Sequence, residues 1–252
     1  MGFDITLVGF SETRQMAAAM LHLLSCSGDI SKGGACTNNE QWSIKKNTTF
    51  YATCRNTLPI SHHTCANNDS VAFAWESFAG ISMRLESLLR AKNRTQSRQV
   101  LVYAVGTHYF AQFPDHRLDH WHNHTEAEYA RAWVTQYYQD MQRLLAWLSN
   151  WRNRNVCVIW KTNNIGWSPH HTGHPSQSDG AHHHLNYWNI AMAEAAGLLV
   201  YDVEPLTLEQ STNLWRNSSY REQMIGAKQD FYHGYDHRVL AHALLSFIQT
   251  NC

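Results

Sequence analysis

Ser11 stands directly after an alternating apolar run, Asp4-Ile5-Thr6-Leu7-Val8, and directly before a helical period, in the string Val8-Gly9-Phe10-Ser11-Glu12-Thr13-Arg14. A serine hydroxyl is a weak nucleophile near neutral pH. It needs a base within hydrogen-bond reach and a third group that holds the base in one tautomer. Asp230-Phe231-Tyr232-His233 supplies such a pair, because a spacing of three lets carboxylate and imidazole project from one turn toward a common point. At the head of a helix the Ser11 N–H can face a developing oxyanion, and the helix dipole adds a favourable field. Ser11, His233 and Asp230 are thus read as nucleophile, base and orienting acid of acyl transfer. Asp236-His237 is a rival pair, but it lies where a helix should begin and reads as structural.

The other residues with chemistry to offer are histidines, of which there are 17. They gather in Asp115-His116, Asp119-His120-Trp121-His122-Asn123-His124, His170-His171 and His182-His183-His184. Alternating histidines can place imidazoles on one side of an extended segment, and imidazole with carboxylate suits zinc. No carboxylate or cysteine stands at a spacing that completes a catalytic zinc motif, so no metal ligand and no cofactor is assigned. Solvated loops facing a sugar are the expected role.

Apolar runs at residues 5–10, 71–75, 100–105, 156–160 and 198–203 alternate with helical periods at 13–24, 81–91, 126–148, 184–196 and 238–248. That alternation predicts a three-layer α/β/α fold with a central, mostly parallel sheet of about five strands. Thr125-x-x-Glu128 makes a capping box before a stripe that runs through Ala130, Trp133, Val134, Tyr137, Tyr138, Met141, Leu144, Leu145 and Leu148. Residues 25–70, 107–124 and 163–180 read as long insertions, which in a compact domain usually carry function. In such a sheet ligands bind beyond the carboxyl ends of the strands. Ser11, Gly106-Thr107-His108, Lys161-Thr162-Asn163 and the segment 230–237 all fall there.

In chain order these blocks resemble the PC-esterase branch of the SGNH (GDSL-like) hydrolases, which includes the trichome-birefringence-like polysaccharide O-acetyltransferases and the sialic-acid O-acetyltransferase group. Gly9-Phe10-Ser11-Glu12-Thr13-Arg14 is similar to the branch's Gly-Asp-Ser-x-x-Arg block, and Leu101 to Tyr109 to an apolar strand ending in Gly-x-His and an aromatic. Val158-Ile159-Trp160-Lys161-Thr162, followed by Thr172-Gly173-His174-Pro175, resembles a strand ending in basic-Thr before a Gly-His-Pro loop; Asp230-x-x-His233 matches the last block. The resemblance implies an SGNH-like, flavodoxin-like fold and a serine nucleophile that moves acyl groups, typically acetyl, on or off sugars. It further implies Ser11, Asp230 and His233 as catalytic residues and Ser11, Gly106 and a third-block amide as the oxyanion hole. Asn163 is preferred to Asn164 for that amide by position alone. Arg14, His108, Lys161 and His174 are implied on the substrate side. Phe10 stands where the branch has Asp, a residue that fixes the turn of the nucleophile without attacking substrate.

The 252 residues suffice for one α/β domain, 1–252, with a cysteine-containing insertion at about 25–70. Zero formal net charge, with basic and acidic residues interspersed, leaves no basic face for nucleic acid. No run approaches the roughly 20 apolar residues of a membrane span. Met1 leads at once into a strand-like run, so no signal peptide is read. Asn-x-Ser/Thr sequons at Asn47, Asn68, Asn93, Asn123 and Asn217 nevertheless point to a secreted or luminal protein, with a cytoplasmic one as the alternative. So do Cys26, Cys36, Cys54 and Cys65, expected to pair with one another or with Cys252, while Cys157, inside an apolar run, reads as a buried free thiol. Three classes remain: a serine-dependent acyl-ester hydrolase or O-acyltransferase acting on a carbohydrate or other acylated small molecule, a metal-dependent hydrolase using the histidine loops, and a non-catalytic carbohydrate-binding relative.

Overall fold

The computed structural model describes residues 2–9, 11–25, 60–64, 70–76, 79, 85–86, 89–90, 97–105, 126–165, 179–216 and 237–252. Six strands form one sheet: β1 (Phe3–Gly9), β2 (Ile60–Thr64), β3 (Ser70–Trp75), β4 (Arg98–Tyr103), β5 (Cys157–Lys161) and β6 (Leu199–Tyr201), in the order β2-β3-β1-β4-β5-β6. Five of them, β3-β1-β4-β5-β6, run parallel, and β2 pairs antiparallel with β3 at one edge. The chain order reverses between β1 and its neighbours β3 and β4. The crevice beyond the carboxyl ends of β1 and β4 is therefore the topological switch point where ligands bind in open α/β sheets.

Parallel strands covered on both faces must be apolar on both. Ile5, Leu7, Val100, Val102 and Ile159 pack against α1 (Ser11–Ser25) and a C-terminal helix, while Val8, Leu101, Tyr103, Val158 and Trp160 face α2 (Glu126–Arg152) and α3 (Asp179–Ala195). With α4 (Glu204–Arg216) in between, the C-terminal helix is α5 (His237–Asn251), whose Leu240, Ala241, Leu244 and Ile248 repeat at helical spacing against the sheet. The buried stripe of α2 is Tyr137, Met141, Leu144, Leu145, Leu148 and Trp151. Val134 and Tyr138, expected within it, are instead exposed, because a helical stripe is narrower than the run of apolar residues that the sequence offers there.

The helix ends explain how the strands re-enter the sheet. α2 closes through Asn155 at φ 63°, a left-handed position that asparagine tolerates. α3 closes on Gly197 at φ 71°: the Gly197 N–H donates to Glu194 O (2.8 Å) and the Leu198 N–H to Ala193 O (3.0 Å). Arg152 of α2 donates to Gly197 O at 2.5 Å, tying the two helix ends together just before β5 and β6.

One expectation is overturned. Cys157, read as a free thiol, forms a disulfide with Cys252, across 95 residues of sequence. The reason is tertiary: α5 lies on the face of the sheet to which Cys157 belongs and delivers the final residue to the start of β5. Cys252 is thus engaged with the core and not with the segment 25–70. Cys26, Cys36, Cys54 and Cys65 lie outside the described residues, as do the five sequons.

Candidate active site

Ser11 begins α1 two residues after β1 ends at Gly9. The first N–H groups of a helix have no intrahelical acceptor, so those of α1 open at the switch point with the positive end of the helix dipole. Gly9 sets how closely the parts approach. A Cβ there would come within 2.6 Å of Ala104 O and would also strike Thr13 Oγ1, so only glycine lets β1, the end of β4 and the first turn of α1 meet. On the β4 side the Ala104 N–H donates to Val8 O at 2.9 Å.

Beyond β5 the chain passes through Lys161-Thr162-Asn163-Asn164-Ile165, every residue of which is buried. Buried backbone must find partners, and each comes from a different element. The Asn164 N–H donates to Glu12 Oε2 of α1 (3.2 Å), and the Ile165 N–H to Thr207 Oγ1 of α4 (3.1 Å). Asn186 of α3 takes both sides of the Asn163 peptide, accepting from Asn163 N (2.8 Å) and donating to Asn163 O (2.9 Å). Thr162 Oγ1 donates to Asp202 Oδ1 (2.9 Å) while accepting from Val203 N (2.8 Å). A further layer holds these partners: Asn186 Nδ2 donates to Glu204 Oε2 (3.1 Å), and Glu204 Oε1 meets His183 Nδ1 at 2.5 Å.

The two asparagines differ in what this leaves over. Asn163 Nδ2 is already engaged with Asn186 Oδ1 at 3.3 Å. Asn164 Oδ1 accepts from Lys161 Nζ at 3.1 Å, while Asn164 Nδ2, although buried, has no hydrogen-bond partner among the described residues. Lys161 is 1% exposed, and its ammonium also donates to Thr162 O at 2.8 Å. Burial pushes the Lys161 ammonium down to about 8, against the pull of the Glu12 and Asp202 carboxylates.

Of the residues singled out in the sequence, Ser11 is described through its backbone only, and Arg14, Lys161 and Asn163 are buried. Gly106, His108, His174, Asp230 and His233 lie outside the described residues. The sequence reading passed over Glu12, Asn186, Asp202, Glu204 and Thr207. A signal existed for one group of them: Asp202-Val203-Glu204-Pro205 opens a helix, with Asp202 Oδ1 accepting from Glu204 N (3.1 Å) and proline in the first turn, where its missing N–H costs nothing. Among the described residues no group of three His, Cys, Asp or Glu side chains could hold a metal ion, and no helix is long and apolar enough to cross a membrane. Of the histidine clusters, only 182–184 is described: His182 is buried, and His183 and His184 are exposed on α3.

No protein-family model and no curated protein sequence matches the chain. Among solved structures it is similar to an acetyl xylan esterase, with a TM-score of 0.53 over 97% of this chain and 99% of that one at 14% identity. At that identity the likeness is one of fold, and the α/β/α arrangement with its parallel sheet is shared nearly end to end.

Proposed function

We propose that this chain is a serine-dependent acyl-ester enzyme of the SGNH type, acting on an acylated carbohydrate with Ser11 as nucleophile. The observation that carries the reading is the meeting of the Ser11 helix start with a fully buried loop whose Asn164 Nδ2 makes no hydrogen bond among the described residues. His233, oriented by Asp230, takes the proton from Ser11 Oγ as that oxygen attacks the acyl carbonyl. The negative charge on the carbonyl oxygen falls to N–H donors at the start of α1, at Gly106 and on Asn164. Asn164 is preferred to Asn163 in this role because one Asn163 Nδ2 proton is already directed at Asn186, whereas Asn164 Nδ2 makes no hydrogen bond among the described residues. His233 returns the proton to the departing sugar oxygen, leaving acyl-Ser11. Water or a second sugar hydroxyl then takes the acyl group by the same route in reverse. Arg14 and Lys161 act from within the fold, and His108 and His174 on the substrate side.

The acetyl xylan esterase of like fold supports a carbohydrate ester as substrate. The Cys157–Cys252 disulfide supports a secreted or luminal protein, since reducing compartments keep such thiols apart. Phe10, standing where the resembling family has Asp, favours a second reading, a carbohydrate-binding relative without turnover. Release of acetate from p-nitrophenyl acetate and from acetylated xylan separates the two. Ser11→Ala should abolish release while costing only about 1 kcal/mol of stability. Activity that survives Ser11→Ala but is lost to a chelator refutes the serine mechanism in favour of the metal one, and absence of turnover in the native chain favours the binding module.

A further inference from the structure

We propose that Lys161 is a positioning residue whose buried ammonium dictates which end of the Asn164 amide is offered to the reacting acyl group, with Glu12 holding the Asn164 backbone in register. The role rests on the esterase reading above.

A carboxamide is nearly symmetric in shape, and rotation by half a turn exchanges a donor for an acceptor in the same place. In an oxyanion site that exchange reverses the sign of the interaction, so something must forbid it. An ammonium has three donors and no acceptor. Facing Lys161 Nζ at 3.1 Å, Asn164 can present only Oδ1, and planarity then turns Nδ2 away from the ammonium, where it has no partner among the described residues. The second contact is independent of the first. Glu12, the residue after Ser11, accepts from the Asn164 N–H at 3.2 Å, so the nucleophile's helix and the donor's loop are fastened to each other by adjacent residues. Asn163 is held by a different partner, since its N–H, its carbonyl and one Nδ2 proton go to Asn186.

A buried ammonium is a costly way to fill space, and an apolar side chain of similar length is often as stable or more so. The charge at Lys161 is therefore better explained by what it orients than by what it stabilises. The charged groups that act on it are Glu12 from α1 and Asp202 from the end of β6, and both favour the charged form. Once the proton is lost, the amine gains a lone pair that can accept from Asn164 Nδ2, and the two amide orientations compete. The ammonium's descent to about 8 brings that loss within reach of an ordinary pH profile.

The test measures kcat and KM for p-nitrophenyl acetate in the full chain, from pH 6 to 9.5 with buffer hydrolysis subtracted. Wild-type kcat is expected to fall between pH 7 and pH 9 by at least about twofold, as the ammonium gives way to an amine that admits both amide orientations. Lys161→Met should lower kcat at pH 7 by about 10- to 100-fold with KM within about twofold, and should remove the alkaline fall. Lys161→Met added to Asn164→Ala should cost nothing further, because both act through one donor. A wild-type kcat level to pH 9.5 overturns the proposal even if Lys161→Met does not fold. Wild-type kcat in a folded Lys161→Met, or losses that multiply in the double variant, also overturn it. A native chain that neither turns over nor is labelled at Ser11 by a phosphonofluoridate overturns the esterase reading itself and this role with it, whereas an active, labelled chain indifferent to Lys161 overturns this role alone.

Discussion

Gly9→Ala adds a single methyl group at the point where three elements converge. The new Cβ would sit 2.6 Å from Ala104 O and against the Thr13 hydroxyl. An ordinary van der Waals contact begins at 3.4 Å, so the carbonyl must withdraw by about 0.8 Å. Thr13 can rotate its side chain, but Ala104 O belongs to the backbone that continues β4, and Ala104 N is itself bonded to Val8 O. The strain must then pass to the start of α1, which is Ser11. Overpacking of this kind costs about 1–3 kcal/mol, which for a chain of this size is roughly 2–10 °C in Tm. A displacement approaching 1 Å at a nucleophile costs about 10²-fold in rate. Thermal unfolding followed by circular dichroism and kcat/KM for p-nitrophenyl acetate should therefore both fall, and Thr13→Ala added to Gly9→Ala should restore only part of either. A Gly9→Ala protein with native Tm and native rate would refute the close approach on which this reasoning depends.

Breaking the Cys157–Cys252 bridge by Cys252→Ser should cost at most about 4–5 kcal/mol, the loop-closure value for 95 residues, read as the difference between urea unfolding of native and variant chains; a difference under about 0.5 kcal/mol would mean that the bridge does not restrain the unfolded chain. Asn164→Ala should lower kcat by about 10²-fold or more with little change in Tm, whereas Asn186→Ala should cost about 1–3 kcal/mol in stability by stranding the Asn163 peptide; a rate loss on Asn163→Ala with Asn164→Ala silent would reverse the donor assignment. Lys161 titrates lower in the fold, at about 8, than the ordinary lysine value of 10.5, so between about pH 8 and 10 the unfolded chain binds more protons and stability should rise with pH. The Tyr201 phenol, which burial holds above its ordinary range, reverses the trend only above about pH 10. A urea midpoint in wild type that does not rise from pH 8 to 9.5, relative to Lys161→Met, would contradict the buried charge.

The parallel strands were legible because each is buried on both faces and so reads as a continuous apolar run: Val100-Leu101-Val102-Tyr103 sends alternate residues to opposite faces, and both faces are core. β2 was not legible. Ile-Ser-His-His-Thr at an edge has no apolar alternation, and its pairing with β3 is supplied by backbone hydrogen bonds that any sequence can make. α4 was missed for a related reason, since much of its length is polar and Thr207 is buried for its hydroxyl rather than for apolar surface. At the site, the position of Ser11 beyond β1 followed from pattern and topology. The different surroundings of Asn163 and Asn164 did not, because adjacent residues of one type are distinguished by Asn186 and Lys161, whose approach is a tertiary event. The same holds for Cys157, which an apolar neighbourhood made look solitary until α5 brought the other end of the chain to it.

The bridge between Cys157 and Cys252 also makes residues 157–252 a covalent ring, within which lie Lys161, Asn164, Asp230 and His233. A protease that cuts once anywhere between the two cysteines opens the ring without releasing a fragment. Both pieces stay attached through β5, and the nicked protein migrates as a single species until a reductant is added. The candidate base and the candidate oxyanion donor therefore remain in one molecule after a cut between them. That form of robustness is independent of folding stability.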